Sequence, residues 1–268
     1  MTTISASLVK ELRDATGAGM MDCKRALEET KGDVAAARTL LREKGMAQAG
    51  KRAGRATTEG LVGSLLEGGC ATLVAVGCET EPVSKNDEFL AFAEKVLRTV
   101  AASGPDAVAG LEGERVELVA KIGENVVVAG AERYDAGAGE LLSLYVHPPA
   151  NKIGVVVKIA GGTPELARQL AMHIAFAAPT WATRDDVPAE TVTAEREVYA
   201  NSDEVLSKPE PAREKIVDGM LAKRFFAAQP GGVLADQPWI HDPSLSVGKA
   251  LTEPGARVLA FRRLSVAG

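Results

Sequence analysis

The sequence is poor in aromatic residues and cysteine, and each shortage excludes a class of protein. Aromatic residues make up 4% of the chain, which argues against a stacking platform for single-stranded nucleic acid. Three cysteines, an odd number without a dense framework, favour a reducing compartment over a secreted disulfide scaffold. No uncharged apolar run approaches the roughly 18 residues of a membrane span, and the N-terminus lacks the basic start and apolar run of a secretory signal. We therefore expect a cytoplasmic protein with no membrane partner.

Residues suited to covalent chemistry or metal binding are also scarce. The three histidines, His147, His173 and His241, lie far apart, and no cysteine or histidine pair has the spacing of a zinc site. No GxSxG or HExxH motif occurs. His173 lies in an apolar segment and is expected to pack in a core, and Asp185–Asp186 is expected to cap a helix. The sequence predicts no catalytic residue, metal ligand or cofactor, so an enzyme is not expected.

The length and composition are typical of a globular protein with more than one domain. The chain has 268 residues, of which 46% are hydrophobic and 25% charged. The net charge is −5, so the protein as a whole is not expected to bind a polyanion, although local patches could.

Residues 1–45 predict three short helices in a compact bundle. Ser5 can cap the first helix, and a second runs from about Met20 to Glu29. Asp33 can cap the third, and Gly45 is expected to close it.

The glycine-rich stretch ATGAG at 15–19 is interpreted as an interhelical turn. A phosphate-binding loop follows a strand and precedes a helix, whereas this stretch has a predicted helix on both sides. Glycine permits the tight turn, which would place Met20 and Met21 at the exposed start of the second helix. We expect one of the two methionines to lie in the bundle core.

Residues 46–60, MAQAGKRAGRATTEG, are expected to form a linker because they lack an apolar period. They belong to the most basic part of the chain, and two interpretations stay open. The stretch is either a solvated tether or a surface for an anionic partner.

The remainder predicts an α+β core built from two similar halves. Strand, strand and helix patterns occur in 61–139 and again in 140–183, which 229–268 completes with a further strand. Each half is expected to be an antiparallel sheet with helices on one face. Residues 184–228 interrupt the second half as a charged helical hairpin, which either meets a partner or forms a surface flap.

Several long stretches resemble one protein family. They follow in order across essentially the whole chain and are SASLVKELRDATGAGMMDCKRALEET, KRAGRATTEG, FAEKVL, LVAKIGEN, AMHIAFAAP, KPEPAREKIVDGMLAKRF and QPWIHDPSLSVG. All are similar to bacterial elongation factor Ts. The resemblance implies a ubiquitin-associated-like three-helix bundle, a duplicated antiparallel α+β core, an inserted hairpin that serves as a dimerisation module, and a small C-terminal element.

The resemblance also implies a function. Members of that family are guanine-nucleotide exchange factors for elongation factor Tu, the GTPase that carries aminoacyl-tRNA to the ribosome. They promote GDP release by disturbing the magnesium and phosphate site of their partner, and they perform no covalent chemistry.

Individual site residues follow from the same resemblance. Met20 and Met21 correspond to bundle residues that dock on the G domain of the partner. Thr80-Glu81-Pro82-Val83 matches the family's TDFV loop, which displaces the magnesium ion; the acidic charge is kept, but Pro82 replaces the aromatic residue. His147 aligns with a histidine that contacts the partner and perturbs its phosphate-binding loop.

Two other interpretations of the sequence remain open. The chain could be an interaction adaptor whose ubiquitin-associated-like head binds partners without changing their nucleotide state. An RNA-binding role for 38–55 ranks below it, because the net charge is negative, and no direct nucleic acid contact is expected. The sequence also leaves open whether the hairpin forms a homodimer and what the stoichiometry with elongation factor Tu is.

Overall fold

The computed structural model describes residues 4–267, apart from the side chain at position 48. Its α-helices are α1 (Ala6–Thr16), α2 (Met20–Glu29), α3 (Val34–Arg52), α4 (Glu81–Ser84), α5 (Asp87–Ser103), α6 (Glu112–Ile122), α7 (Pro164–Ala177), α8 (Ala189–Ala200), α9 (Asp203–Leu206), α10 (Glu210–Met220) and α11 (Val247–Thr252). Its strands are β1 (Glu59–Glu67), β2 (Cys70–Cys78), β3 (Val126–Asp135), β4 (Glu140–Val146), β5 (Ile153–Ala160), β6 (Pro238–Trp239), β7 (Asp242–Ser246) and β8 (Arg257–Ser265). The mixture of helices and small sheets confirms the α+β class.

Two compact units divide the chain. The first contains the chain up to Gly63, Val74–Glu132 and the chain from Leu264; the second contains Ser64–Leu73 and Arg133–Arg263. The predicted subdomain boundaries, the ubiquitin-associated-like bundle and the duplication stay predictions.

The three helices of the N-terminal bundle begin where the sequence predicts. The Ser5 hydroxyl accepts a hydrogen bond from the Leu8 amide, and the Asp33 carboxylate accepts one from the Ala36 amide. α1 ends at Gly17, whose φ of 67° is left-handed. A core of small and medium apolar side chains joins the helices and contains Val9, Leu12, Cys23, Ala26, Leu27 and Ala37.

The expected end of the third helix is wrong. α3 does not stop at Gly45 but continues to Arg52, so the first half of the predicted linker is helical. Gly45 is buried, and a Cβ there would lie 2.7 Å from the Cβ of Ala120 on α6. This glycine therefore permits a close approach of two helices. The Arg52 guanidinium adds a hydrogen bond to the Val119 carbonyl at 3.4 Å.

The first sheet has the order β1-β2-β3, and the predicted succession of strand, strand and helix is confirmed. Gly68 and Gly69 form the turn, with φ of 58° and 78°. The helix expected after β2 is α5, whose apolar face is buried and contains Phe89, Phe92, Ala93, Val96, Leu97 and Val100.

The second sheet has the order β4-β5-β8. β4 and β5 are antiparallel, with Glu140 opposite Ala160 and Val146 opposite Gly154, which confirms the predicted strand pair. The Thr163 hydroxyl caps α7 by accepting from the Leu166 amide at 3.2 Å. α7 packs its apolar face on this sheet, and the shared core includes Val155, Val157, Ile159, Leu170, Ile174, Leu234 and Trp239.

His173 is a packing residue, as the sequence predicts. It is fully buried, and burial lowers the pKa of its imidazole. Its Nδ1 accepts from the Ile240 amide at 3.4 Å, so Nε2 carries the proton and donates to Oε1 of Gln237 at 3.0 Å. The Gln237 amide in turn donates to the Ala177, Ala228 and Gly231 carbonyls.

Residues 184–228 contain the expected helices. α8 and α10 contact one another, and a π-helical segment, Leu221–Phe226, follows α10. The predicted cap is confirmed at Asp186, whose carboxylate accepts from the Thr183 amide and hydroxyl, both at 2.8 Å. A separate small core supports the segment, and its buried members are Val187, Val205, Val217, Met220, Leu221, Phe226 and Val233. Its role in dimerisation stays a prediction.

Candidate functional site

The stretch Thr80–Val83 leaves the first sheet at the end of β2 and forms a helical turn. Thr80 is the N-cap of α4, and Pro82 lies in the first turn of that helix, where its fixed φ fits and its missing N–H costs no hydrogen bond. Glu81 and Pro82 are exposed. Asn86 then caps α5 by accepting from the Glu88 and Phe89 amides at 2.9 and 3.3 Å. The predicted loop is therefore one ordered turn between a buried strand and a helix whose apolar face is buried.

Two carboxylates hold the base of this turn to the segment between α6 and β3. The Glu124 carboxylate accepts from the Thr80 amide at 3.0 Å and from its hydroxyl at 2.6 Å. The Glu79 carboxylate accepts from the Asn125 amide at 2.6 Å. Glu124 thus binds Thr80, which follows Glu79, and Glu79 binds Asn125, which follows Glu124. We call Glu79, Thr80, Glu124 and Asn125 the carboxylate clasp.

The Glu81 carboxylate at the exposed side of the turn pairs with Lys85. The Lys85 Nζ lies 2.7 Å from the Glu81 Oε1, and both side chains are mostly exposed. The hydrogen bond raises the pKa of the Lys85 ammonium. Exposed ion pairs of this kind contribute little to stability, so the carboxylate can change partners at small cost.

Met20 and Met21 both lie on the surface at the start of α2, with 47% and 64% of their area exposed. The expectation that one of them belongs to the core is wrong. The first turn of α2 lies beyond the bundle core, whose α2 members are Cys23, Ala26 and Leu27. The bundle therefore presents two adjacent thioether side chains to solvent.

His147 follows the end of β4 and is exposed. Its backbone amide donates to the Ile153 carbonyl at 2.9 Å, and its Nδ1 lies 2.9 Å from the Tyr145 hydroxyl. These two contacts set the orientation of the ring before Pro148.

His147 also lines an open, mainly apolar groove of about 680 Å³ in the second unit, together with Tyr145, Met172, Phe176, Trp239 and Ile240. Phe176 is 73% exposed, and our sequence interpretation missed it. The signal was present, because the α7 apolar positions Leu166, Leu170 and Ile174 leave position 176 off the buried face.

The predicted residues lie on three different elements. The methionines and the Thr80–Val83 turn belong to the first unit, and His147 belongs to the second. Within residues 4–267, no group of three or more acidic, histidine or cysteine side chains could hold a metal ion. No helix in that range is long and apolar enough to cross a membrane.

Comparison with known proteins identifies the family. Residues 79–268 match the family model described as Elongation factor TS. The chain is 42% identical to Elongation factor Ts of Idiomarina loihiensis, over 98% of this chain and 91% of that protein. It is 44% identical to Elongation factor Ts of Shewanella amazonensis, over 98% and 90% respectively. The chain belongs to the elongation factor Ts family.

Membership in the elongation factor Ts family confirms the resemblance that the sequence motifs indicate. It places the chain among the elongation factors of protein biosynthesis. The matched range begins at Glu79, so it contains the Thr80–Val83 turn, both carboxylates of the clasp and His147. The full-length relatives align over almost the whole chain, which includes the bundle.

Proposed function

We propose that this protein is a guanine-nucleotide exchange factor that promotes GDP release from elongation factor Tu during translation elongation. The observation that carries the proposal is the elongation factor Ts match over residues 79–268, within which an acidic, exposed turn lies at the end of a buried strand. The protein performs no covalent step and acts by binding alone.

The physical basis of exchange is a coupling free energy. GDP and the exchange factor both bind the G protein, and each weakens the binding of the other by the same factor. GDP is retained through Mg²⁺ and a phosphate-binding loop, so disturbing both contacts lowers the barrier to release. Each reduction of about 1.4 kcal/mol in that barrier speeds release tenfold. GTP then binds and displaces the factor.

The Thr80–Val83 turn supplies the group that acts at the metal site. Mg²⁺ takes oxygen ligands in a strict octahedral geometry, so an additional carboxylate, that of Glu81, disturbs the coordination when it is brought beside the ion. Pro82 adds a stiff apolar surface next to that carboxylate. Because the turn is already helical in the free protein, less conformational entropy is lost when it enters the site of the partner.

The bundle provides affinity for the partner, and His147 provides a second disturbance, at the partner's phosphate-binding loop. Methionine side chains are flexible and polarizable and adapt to apolar protein surfaces, which suits Met20 and Met21 to docking on the G domain. His147, exposed at the end of β4, contacts the partner close to its phosphate-binding loop. The apolar groove beside His147 offers further contact area to the same partner.

The test is a stopped-flow measurement of GDP release. Elongation factor Tu loaded with fluorescent GDP is mixed with excess unlabelled GDP and a substoichiometric amount of this protein. We expect release to accelerate in proportion to the amount added, with every molecule of elongation factor Tu turned over. Unchanged release together with stable complex formation would instead identify the protein as an adaptor, and would refute the exchange function.

A further inference from the structure

We infer that Glu124 is a positioning residue for the Thr80–Val83 turn, and that the carboxylate clasp sets the angle at which this turn meets the partner. The inference rests on the proposed exchange function. Glu124 itself need not touch the nucleotide, the metal or the partner, because it acts through Thr80.

The hydrogen bonds of Thr80 support this role. An N-cap threonine ordinarily turns its hydroxyl towards the amides of its own helix, but the Thr80 side chain makes no such bond to α4. Its hydroxyl and its amide both donate to the Glu124 carboxylate, at 2.6 and 3.0 Å. The start of the turn is therefore fixed by a residue 44 positions further along the chain.

Glu124 is itself held between two fixed points. Gly123 precedes it and ends α6 in a left-handed conformation with φ of 85°. Asn125 follows it, is 1% exposed, and donates through Nδ2 to the Arg55 carbonyl at 2.9 Å. The next residue, Val126, begins β3 and is fully buried. The carboxylate is thus presented from a segment that the core of the first unit anchors.

The second half of the clasp restrains the same junction from the other side. The Glu79 carboxylate accepts from the Asn125 amide at 2.6 Å, and Arg55 lies 3.4 Å from that carboxylate. Because the two glutamates bind in opposite directions, the junction resists both sliding and rotation. A single contact would leave the turn free to pivot.

A four-residue helix needs such support. One helical turn is unstable on its own, since nucleation fixes several residues for a single hydrogen bond, and Glu81 and Pro82 have exposed side chains. A group that acts at a metal site must be held within roughly 0.5 Å of its working position. Loss of the clasp is therefore expected to lower the rate at which bound factor releases GDP, while contacts made elsewhere keep the complex together.

The experiment compares Glu124→Ala with a matched control, Glu117→Ala. Both substitutions remove one negative charge, but Glu117 is an exposed residue within α6 and outside the clasp. GDP release from elongation factor Tu is measured as a function of factor concentration, which separates the maximal rate from the half-saturating concentration. Deuterium uptake of the segment that contains Thr80 is measured in the free protein.

We expect Glu124→Ala to lower the maximal rate roughly tenfold, the combined effect of two modest hydrogen bonds, with a half-saturating concentration within about threefold of wild type. Deuterium uptake at Thr80 should rise. Glu117→Ala should resemble wild type in all three measurements. Glu124→Gln should restore most of the rate, because its amide can accept from the Thr80 N–H and donate to the Thr80 hydroxyl.

Thr80→Val removes the hydroxyl that donates to Glu124, and so tests the same contact if Glu124→Ala folds poorly. If both residues act through one contact, the double variant should be no slower than the slower single variant. An unchanged maximal rate in Glu124→Ala, or unchanged uptake at Thr80, would overturn the positioning role while wild-type exchange remained intact. Failure of wild type to accelerate GDP release would instead reject the proposed function.

Discussion

Gly45 offers a direct test of the packing between α3 and α6. In the structure a Cβ at this position would lie 2.7 Å from the Cβ of Ala120, whereas carbon atoms in contact are about 3.5–4.0 Å apart. Gly45→Ala therefore forces the two helices apart by roughly 1 Å or makes one of them bend. Overpacking of this kind costs about 1–3 kcal/mol.

The same substitution also has a favourable contribution, and the comparison with Gly50 separates the two. Alanine stabilises a helix interior by roughly 1 kcal/mol relative to glycine. Gly50 lies on the same helix and is exposed, and a methyl group at this position would meet no atom of another element within 4 Å. Gly50→Ala should therefore raise the free energy of unfolding by up to about 1 kcal/mol. Gly45→Ala should lower it by up to about 2 kcal/mol, the overpacking cost less the gain in propensity.

The assay is urea denaturation followed by far-ultraviolet circular dichroism, with Ala120→Gly as a rescue. Removing the Ala120 methyl makes room for the new one but costs roughly 1 kcal/mol of helix propensity in α6. Gly45→Ala should therefore destabilise the protein less in the Ala120→Gly background than in wild type. Equal stabilisation by Gly45→Ala and Gly50→Ala would refute the close approach. It would then follow that position 45 is an ordinary exposed helix position.

Three other predictions concern the site and the core. Replacing Glu81 and Pro82 by alanine should slow GDP release more than it weakens complex formation. Equal losses of release rate in stopped-flow experiments and of affinity in titrations would mean that these residues contribute only to binding. Met20→Ala with Met21→Ala should weaken binding to elongation factor Tu about tenfold or more, because both lose apolar contact area, while Met46→Ala, at another exposed methionine, should leave the Kd unchanged. Because burial lowers the pKa of His173 in the folded state, the unfolded state binds more protons below pH 6.5. The contribution of His173 to stability should therefore fall by at most about 1.4 kcal/mol per pH unit as the pH drops from 6.5 towards the folded pKa, and it should not change above pH 6.5. Chemical denaturation should show this slope in His147→Gln but not in His173→Gln.

The local signals in the sequence were sufficient for most helices and strands. Ser5, Asp33 and Thr163 cap helices because a short polar side chain there can accept from an amide of the first turn. The α5 face could be predicted for a similar reason, since apolar spacings of three and four residues repeat over several turns. These features depend only on residues near one another in the chain.

Contacts between distant residues account for the errors. Gly45 looks like a helix terminator in isolation, and only the position of Ala120 on α6 explains why the helix continues through it. The methionines at 20 and 21 are apolar like core residues, but the α2 side chains that fill the bundle core begin one turn later, with Cys23, Ala26 and Leu27. Neither outcome is encoded in the spacing of the nearby apolar residues.

The candidate site also combines features that local sequence signals indicate with contacts that only distant residues make. The position of the turn follows from the apolar strand that precedes Thr80–Val83, whereas its assignment as a site depends on the resemblance to the elongation factor Ts family. The clasp cannot be predicted in this way, because Glu79 and Glu124 lie in distant parts of the sequence and find their partners only when β2 and the start of β3 lie side by side in the sheet. If Pro82 acts through backbone shape rather than through the buried area of a large ring, the rate of exchange depends on the groups that hold the backbone in place. On the proposed mechanism, we therefore expect the supporting glutamates to be more important to exchange with proline at position 82 than they would be for a turn that relied on a large side chain.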